Sequence, residues 1–465
     1  MGFVLSVLYF VTYYLTPVKV FGPLASVRIE LILAGLLFFV SLPALTKSFI
    51  LKTPQSFALI GLAIAVFLSV LIGMHWAGGA INALQGFIPN AYGYFLVCLH
   101  CNSKRKLQIL VLMLLFVCVF VIAHGSIDLL HGVPQGASPQ SAVTENSGLN
   151  RWNLEHPYLL AQNSDAGERF YRLRGPGEIN DPNDFGQLIV CLIPLVFIFW
   201  RSKKLLLNTV CVFLPVSALL LGVFLTHSRG ALLALMAVAV VAARRRIGTL
   251  PALLLAGGLF VAASALHFTG GREISASAGA DRTGLWGAGL QMLKSHPLFG
   301  VGFGNFADSA GLTAHNSIVV CAGELGLFGL YFWCLFLFPT VRDALAIAST
   351  VKVTEAQPIV TEKCAFPAPP RKIGALDKAE ANRLGRLALL SLTGFLVAGM
   401  FLSRAYVMTL FLVGGIAEVV FQMGLRRGMI APRMRLARVL MYGGVLTISL
   451  VILMYVMIRV LNVMR

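Results

Sequence analysis

Leu205-Leu-Leu-Asn-Thr-Val-Cys-Val-Phe-Leu-Pro-Val-Ser-Ala-Leu-Leu-Leu-Gly-Val-Phe-Leu-Thr226, closed by His227-Ser-Arg229-Gly230, decides the fold class. No residue between Lys204 and Arg229 carries a formal charge. Such a run matches the hydrocarbon core of a bilayer, which a helix crosses in roughly 17–25 residues. Its apolarity is continuous rather than alternating, so it reads as helix and not as barrel strand. A second apolar helix, Gly230–Ala243, follows and runs into Arg244-Arg-Arg246. Arginines massed at one end are the mark of a segment oriented across a membrane.

Working outward, comparable runs recur from Phe3–Leu15 to Val439–Ile458, about thirteen by the same length criterion. Composition agrees: 58% of the 465 residues are hydrophobic and 12% charged, with a mean hydropathy of +0.83. Soluble domains carry about 25% charged residues. The fold class expected is an all-α polytopic membrane protein of about 12–13 transmembrane helices. The net charge of +18 is a topology signal. Lys104–Lys106, Arg201–Lys204, Arg244–Arg246, the segment Arg342–Arg386 and Arg426–Arg438 occupy alternate loops, which the positive-inside rule assigns to the cytoplasm. That distribution argues against a nucleic-acid partner. Met1–Leu8 has no basic residue and no small-residue cleavage site follows, so no cleavable signal is expected. The cysteines lie almost all in or beside apolar runs and predict no disulfide framework. Cys98-Leu-His-Cys101 lacks a second ligand pair, so a plain helix end is preferred there and no metal site is expected.

Threading the helices through this charge pattern divides the chain into five parts. Residues 1–124 are N-terminal membrane helices, and 125–184 form a first long extracytoplasmic loop. Residues 185–338 form a core containing a second such loop at 269–316. A cytoplasmic linker covers 339–386, and 387–465 are C-terminal membrane helices. Within the second loop Asp281 suits the N-cap of an amphipathic surface helix with Leu285, Ala288, Gly289, Met292 and Leu293 on one face. Asn180-Asp-Pro-Asn183 reads as a turn entering a helix. Gly300-Val-Gly-Phe-Gly304 is read as a tight turn bringing backbone close to a site, since it follows no strand and lacks the Lys-Ser/Thr of a phosphate loop.

Arg174, Arg229, Arg282 and Arg404 all fall on the side that the positive-inside rule disfavours, together with His315. A lone arginine at a helix end snorkels to headgroups. Several together suit an anionic ligand, because guanidinium pairs in forked geometry with phosphate oxygens. An imidazole such as that of His315 accepts a proton near neutral pH and can serve as general base. Two acids inside helices, Glu324 and Glu418, are what a transporter would need.

Five motifs carry a family resemblance. They are Arg172-Leu-Arg174-Gly before Asn180-Asp-Pro-Asn183, Thr226-His-Ser-Arg229-Gly-Ala-Leu, and Asp281-Arg282 followed by Trp286. After these come Gly300-Val-Gly-Phe-Gly-Asn-Phe306, and His315-Asn316 before Gly323-Glu-Leu-Gly-Leu327. In order and spacing they resemble the O-antigen ligase and O-antigen (exopolysaccharide) polymerase superfamily. The resemblance implies an inverting, metal-independent glycosyltransferase in the bacterial inner membrane, with its active site facing the periplasm. The donor it implies is an undecaprenyl-diphosphate-linked glycan. The acceptor is a glycan or lipid A-core, with no cofactor. It implies further that His315 is catalytic and that Arg229, Arg282 and Arg174 bind the diphosphate. Asn316 and Asn183 are expected as support, as is Arg404, which topology alone suggests. Repeat-unit polymerase is preferred over ligase on the look of Asn180–Asn183. The alternative is a transporter or flippase of an anionic solute or lipid-linked sugar.

Overall fold

The computed structural model describes residues 1–17, 29–48, 50–131, 156–163, 169–265, 268, 276–349, 378–425, 430 and 433–463. Fifteen helices and one hairpin organise these residues. They run α1 (Gly2–Leu15), α2 (Ile29–Lys47), α3 (Pro54–Gly73), α4 (Ala77–His100) and α5 (Lys104–Leu130). The hairpin β1 (Leu159–Asn163) and β2 (Arg169–Leu173) precedes α6 (Pro182–Val196), α7 (Leu205–Thr226), α8 (Arg229–Ile247) and α9 (Thr249–Ala265). Then come α10 (Ala276–Ser295), α11 (Phe306–Ala310), α12 (Ser317–Ala348), α13 (Lys378–Gly399), α14 (Met408–Leu425) and α15 (Leu436–Val463). Among the described residues, eight helices are long and apolar enough to cross a membrane. The protein is an all-α, multi-pass membrane protein.

Two compact units make up the chain. The first comprises Met1–Val40, Lys104–Glu273 and Thr393–Ala398; the second comprises Ser41–Ser103, Ile274–Leu392 and Gly399–Arg465. In the first unit α6 is the central element, with Phe185, Ile189 and Val190 wholly buried. It starts where the sequence says it should: Asp181 caps it by accepting from the Asn183 amide at 2.7 Å, and Pro182 takes the first turn, where no amide partner is lost. Gly186 allows α6 to approach α8, because a Cβ there would sit 2.8 Å from that of Ala231.

In the second unit α14 is almost completely buried. Phe411 packs edge-on to Phe87 and Phe336, with centroids 5.9 and 5.4 Å apart. Between them α12 is broken once: Gly326 has φ 65° and ψ −164° inside an otherwise helical run. At the far end of α12, Asp343 and the Glu418 carboxylate of α14 share Arg433, with Gln55 and Gln422 as further donors. Burying two carboxylates without such partners would be strongly destabilising.

Three differences from the sequence reading have physical reasons. The surface helix α10 begins at Ala276, so Asp281 lies in its second turn and is not its N-cap. Ala276-Ser-Ala-Gly-Ala280 precedes it, and alanine extends a helix readily. The expected linker is helical at both flanks, since α12 continues to Ala348 and α13 starts at Lys378; 350–377 lies outside the described residues. Finally, the first long loop contains a hairpin. Leu159 pairs with Leu173 and Leu160 with Arg172 in antiparallel register. The rest of that loop, 132–155 and 164–168, lies outside the described residues.

Candidate active site

The candidate residues form two groups, one in each unit. In the first unit the organising side chain is Arg172, which is 5% exposed. Its Nε donates to the carbonyl of Thr226 (2.9 Å), Nη1 to Gln162 Oε1 (3.2 Å) and Nη2 to Asn183 Oδ1 (3.0 Å). Gln162 stands diagonal to it across the hairpin, where long side chains on one face can meet. The Thr226 carbonyl is the last of α7, so this cation also complements the negative end of the helix. Arg172 therefore ties the hairpin, the α6 start and the α7 end together. Asn183 is thereby bonded to Arg172.

Arg174 extends the hairpin by one rung, its amide donating to the Tyr158 carbonyl at 2.9 Å. Its guanidinium is half-buried; desolvation lowers its pKa, and the Asp181 carboxylate opposes that shift. An arginine in this state stays cationic at any working pH. Arg229 is the first residue of α8. Before it, His227 takes a left-handed conformation (φ 48°), and Ser228 caps the helix by accepting from the Ala231 amide at 3.3 Å. Helix N-termini carry partial positive charge, which disfavours a cation and favours an anion. A guanidinium at that position adds charge of the same sign, an arrangement suited to a ligand such as phosphate.

In the second unit, Arg282 and Trp286 lie four residues apart on α10 and so share a face. Trp286 Nε1 donates to the Ala314 carbonyl at 2.9 Å, which docks that face against the residue preceding His315. His315 is left-handed at φ 48°, an uncommon conformation for a residue with a side chain. Its amide donates to Ser403 Oγ at 2.8 Å. Asn316, 1% exposed, caps α12 by accepting from the Ile318 and Val319 amides at 2.9 and 3.3 Å. Ser317 Oγ donates to the Leu402 carbonyl (2.7 Å) and accepts from the Arg404 amide (3.1 Å). Trp333 Nε1 secures the same turn through the Ala405 carbonyl at 2.9 Å.

The second unit thus brings His315, Asn316, the Arg282 face of α10 and the Arg404 turn together. Sequence reasoning missed the bracing by Arg172, Ser403 and Ser317. Arg172 and Ser403 stood one or two positions from residues that were singled out, and nothing in residue type separated brace from site.

The fold and these two groups define a class: a multi-pass membrane protein with arginines and a histidine held at helix ends. Residues 214–334, from inside α7 to inside α12, match the family model described as O-antigen ligase. The match spans about a quarter of the chain, and that segment is similar to the O-antigen ligase family. No curated protein matches the chain.

Proposed function

We propose that the protein is an inverting glycosyltransferase that takes a glycan from an undecaprenyl-diphosphate donor at the periplasmic face of the inner membrane. Arg229, Arg282 and Arg174 bind the diphosphate, and His315 acts on the acceptor hydroxyl. Asn316 supports His315 by capping its helix, Arg404 lies in the turn that adjoins it, and Asn183 steadies Arg172. The acceptor oxygen attacks the anomeric carbon from the face opposite the diphosphate. As that bond forms, the bond from the anomeric carbon to the phosphate oxygen breaks, and its electron pair leaves on the diphosphate. The hydroxyl proton passes to the imidazole. Fixed guanidinium groups match the charge growing on the leaving group, which is the larger part of such catalysis.

One observation carries this reading. His315 is held in a left-handed turn by Ser403 and by Trp286 from the face of α10 that bears Arg282. Residues in sparsely populated backbone regions cluster at active sites. The acids that a transporter would use are engaged in the fold. Glu418 is paired with Arg433, and Glu324 is buried inside α12. Polymerase is preferred to ligase, with the acceptor a second lipid-linked repeat unit.

The test uses purified protein, a polyprenyl-diphosphate-linked oligosaccharide, chelator and no nucleotide. Products of increasing length are expected on a gel. Glycan appearing only on added lipid A-core would make the protein a ligase, and solute uptake without glycan transfer would overturn the reading.

A further inference from the structure

The glycine-rich segment that follows α10 is clamped between α3 and α12. On the α12 side it fills the break in that helix, whose freed carbonyls and amides must find partners away from water. The amides of Val301 and Gly302 donate to the carbonyls of Gly323 and Glu324, each at 3.0 Å. The amides of Leu327 and Phe328 donate to the carbonyls of Pro297 and Leu298, at 2.8 and 3.1 Å. On the other side lies the last turn of α3. Gly73 admits the segment's backbone there, since a Cβ on it would lie 2.5 Å from the Gly300 carbonyl oxygen. Gly302 has φ 109°, which L side chains resist, and seats on Met74, whose sulfur would be 2.6 Å from a Cβ.

A polar side chain of α3 joins this contact. Ser69 lies one helical turn before Gly73, on the same face, and is wholly buried. Its hydroxyl donates to the Val66 carbonyl at 2.8 Å and accepts from the Phe303 amide at 3.1 Å. With the hydroxyl proton committed to Val66, a lone pair stays directed at Phe303. Phe303 carries the contact onward. Its ring centroid lies 5.2 Å from that of Tyr406, tilted by 44°, within the range of a favourable aromatic pair. Tyr406 is buried in the connection from α13 to α14 that also contains Ser403 and Arg404. That connection accepts the His315 amide through Ser403 Oγ and is bonded to α12 through Ser317 and Trp333. A hydrogen bond, a ring contact and a second hydrogen bond therefore lead from Ser69 to the His315 turn.

We propose that Ser69 is a positioning residue for glycan transfer. Its hydroxyl fixes the backbone at Phe303, the Phe303 ring braces Tyr406, and the braced connection holds the His315 amide through Ser403. The inference rests on the reading of His315 as a glycan-transfer residue. Ser69 itself transfers no proton.

Hydrogen exchange and glycan transfer by the purified full chain test this, with Ser69→Ala, Phe303→Leu and the double variant. Ser69→Ala leaves the Phe303 amide without its acceptor, so exchange there should speed by about tenfold or more. Exchange at the His315 amide should rise in both single variants, while amides in the middle of α14 keep their native rates. In each, kcat should fall by roughly tenfold or more at nearly unchanged KM, because a small misplacement of a reacting group acts on turnover. The double variant separates bracing from plain stability. Since Ser69 acts through the Phe303 ring, it should turn over no more slowly than the slower single variant. Three results would overturn the proposal. The first is native exchange at His315 in either single variant, and the second is losses in kcat that multiply in the double variant. The third is native kcat in Phe303→Leu, a partly exposed position where the variant should fold even if Ser69→Ala does not. If the native chain transfers no glycan, the glycosyltransferase reading fails, and exchange at His315 still decides whether Ser69 and Phe303 brace that turn.

Discussion

Two turns use the same local solution for different ends. At Thr226–Ala231 and at Ala314–Val319 a left-handed histidine precedes an N-cap that satisfies the first amides of a helix. At His227 the ring is part of the packing. Its Nδ1 lies 2.7 Å from the Phe268 carbonyl, and the rings of Phe170 and Phe224 lie 5.6 and 5.8 Å away. The next residue but one, Arg229, opens α8. At the His315 turn, Ala314 is held by Trp286, the His315 amide by Ser403, and Ser317 by Leu402 and Arg404. One turn uses its histidine ring in packing, and the other carries the histidine proposed to act in glycan transfer.

The largest expected effect breaks or confirms that contrast directly. His315→Ala should lower glycan transfer by at least 10²–10³, on the order of losing one transition-state contact, while thermal unfolding in detergent changes little. His227→Ala should do the reverse. Loss of its hydrogen bond and ring contacts should cost about 1–3 kcal/mol, with a smaller effect on turnover. Abolished transfer with native stability in His227→Ala, beside an active His315→Ala, would invert the comparison.

Arginines sharpen it next. Arg229→Lys keeps the charge but loses the fork, so transfer should fall by about tenfold or more at unchanged melting temperature. Arg172→Met should instead unfold at lower temperature. It leaves the Thr226 carbonyl and the Gln162 and Asn183 side chains without their donor, a loss of about 1–3 kcal/mol in stability. Equal loss of stability in both variants would remove the distinction drawn between ligand-binding and bracing arginines.

The membrane fold was legible because long uncharged runs are an unambiguous physical signal; Leu205–Thr226 was delimited to the residue. The placement of Arg229 and His315 at helix ends was legible too, because each directly adjoins an apolar run. The hairpin was not. Its strands are five residues each and β1, Leu-Leu-Ala-Gln-Asn, does not alternate, so periodicity had nothing to register. The break in α12 was equally hidden. Gly323-Glu-Leu-Gly326 is compatible with continuous helix until Pro297–Gly302 is laid against it, and that pairing is tertiary. Asp281 failed as a cap for a related reason, since the alanine-rich residues ahead of it had no signal to stop a helix.

The smallest effects concern the bonds that frame the two turns. Trp286→Phe removes one indole donor and leaves the Ala314 carbonyl short of a partner, a loss of about 1 kcal/mol. Ser228→Ala and Asn316→Ala each remove an N-cap, and caps of this kind contribute roughly 0.5–2 kcal/mol. Asn316 accepts from two amides and Ser228 from one in these helix starts, so Asn316→Ala should lie at the upper end of that range. Its consequence for activity should also be larger. Ser228 caps a helix whose first residue, proposed to bind the diphosphate, has a long flexible side chain that can absorb a small shift of the backbone. Asn316 adjoins His315, whose shorter side chain follows its own backbone closely. Melting curves and transfer rates measured on both variants should therefore show activity falling further than stability in Asn316→Ala, and the two falling together in Ser228→Ala. Parallel loss in both variants would mean that the His315 turn is no more rigidly held for function than the His227 turn.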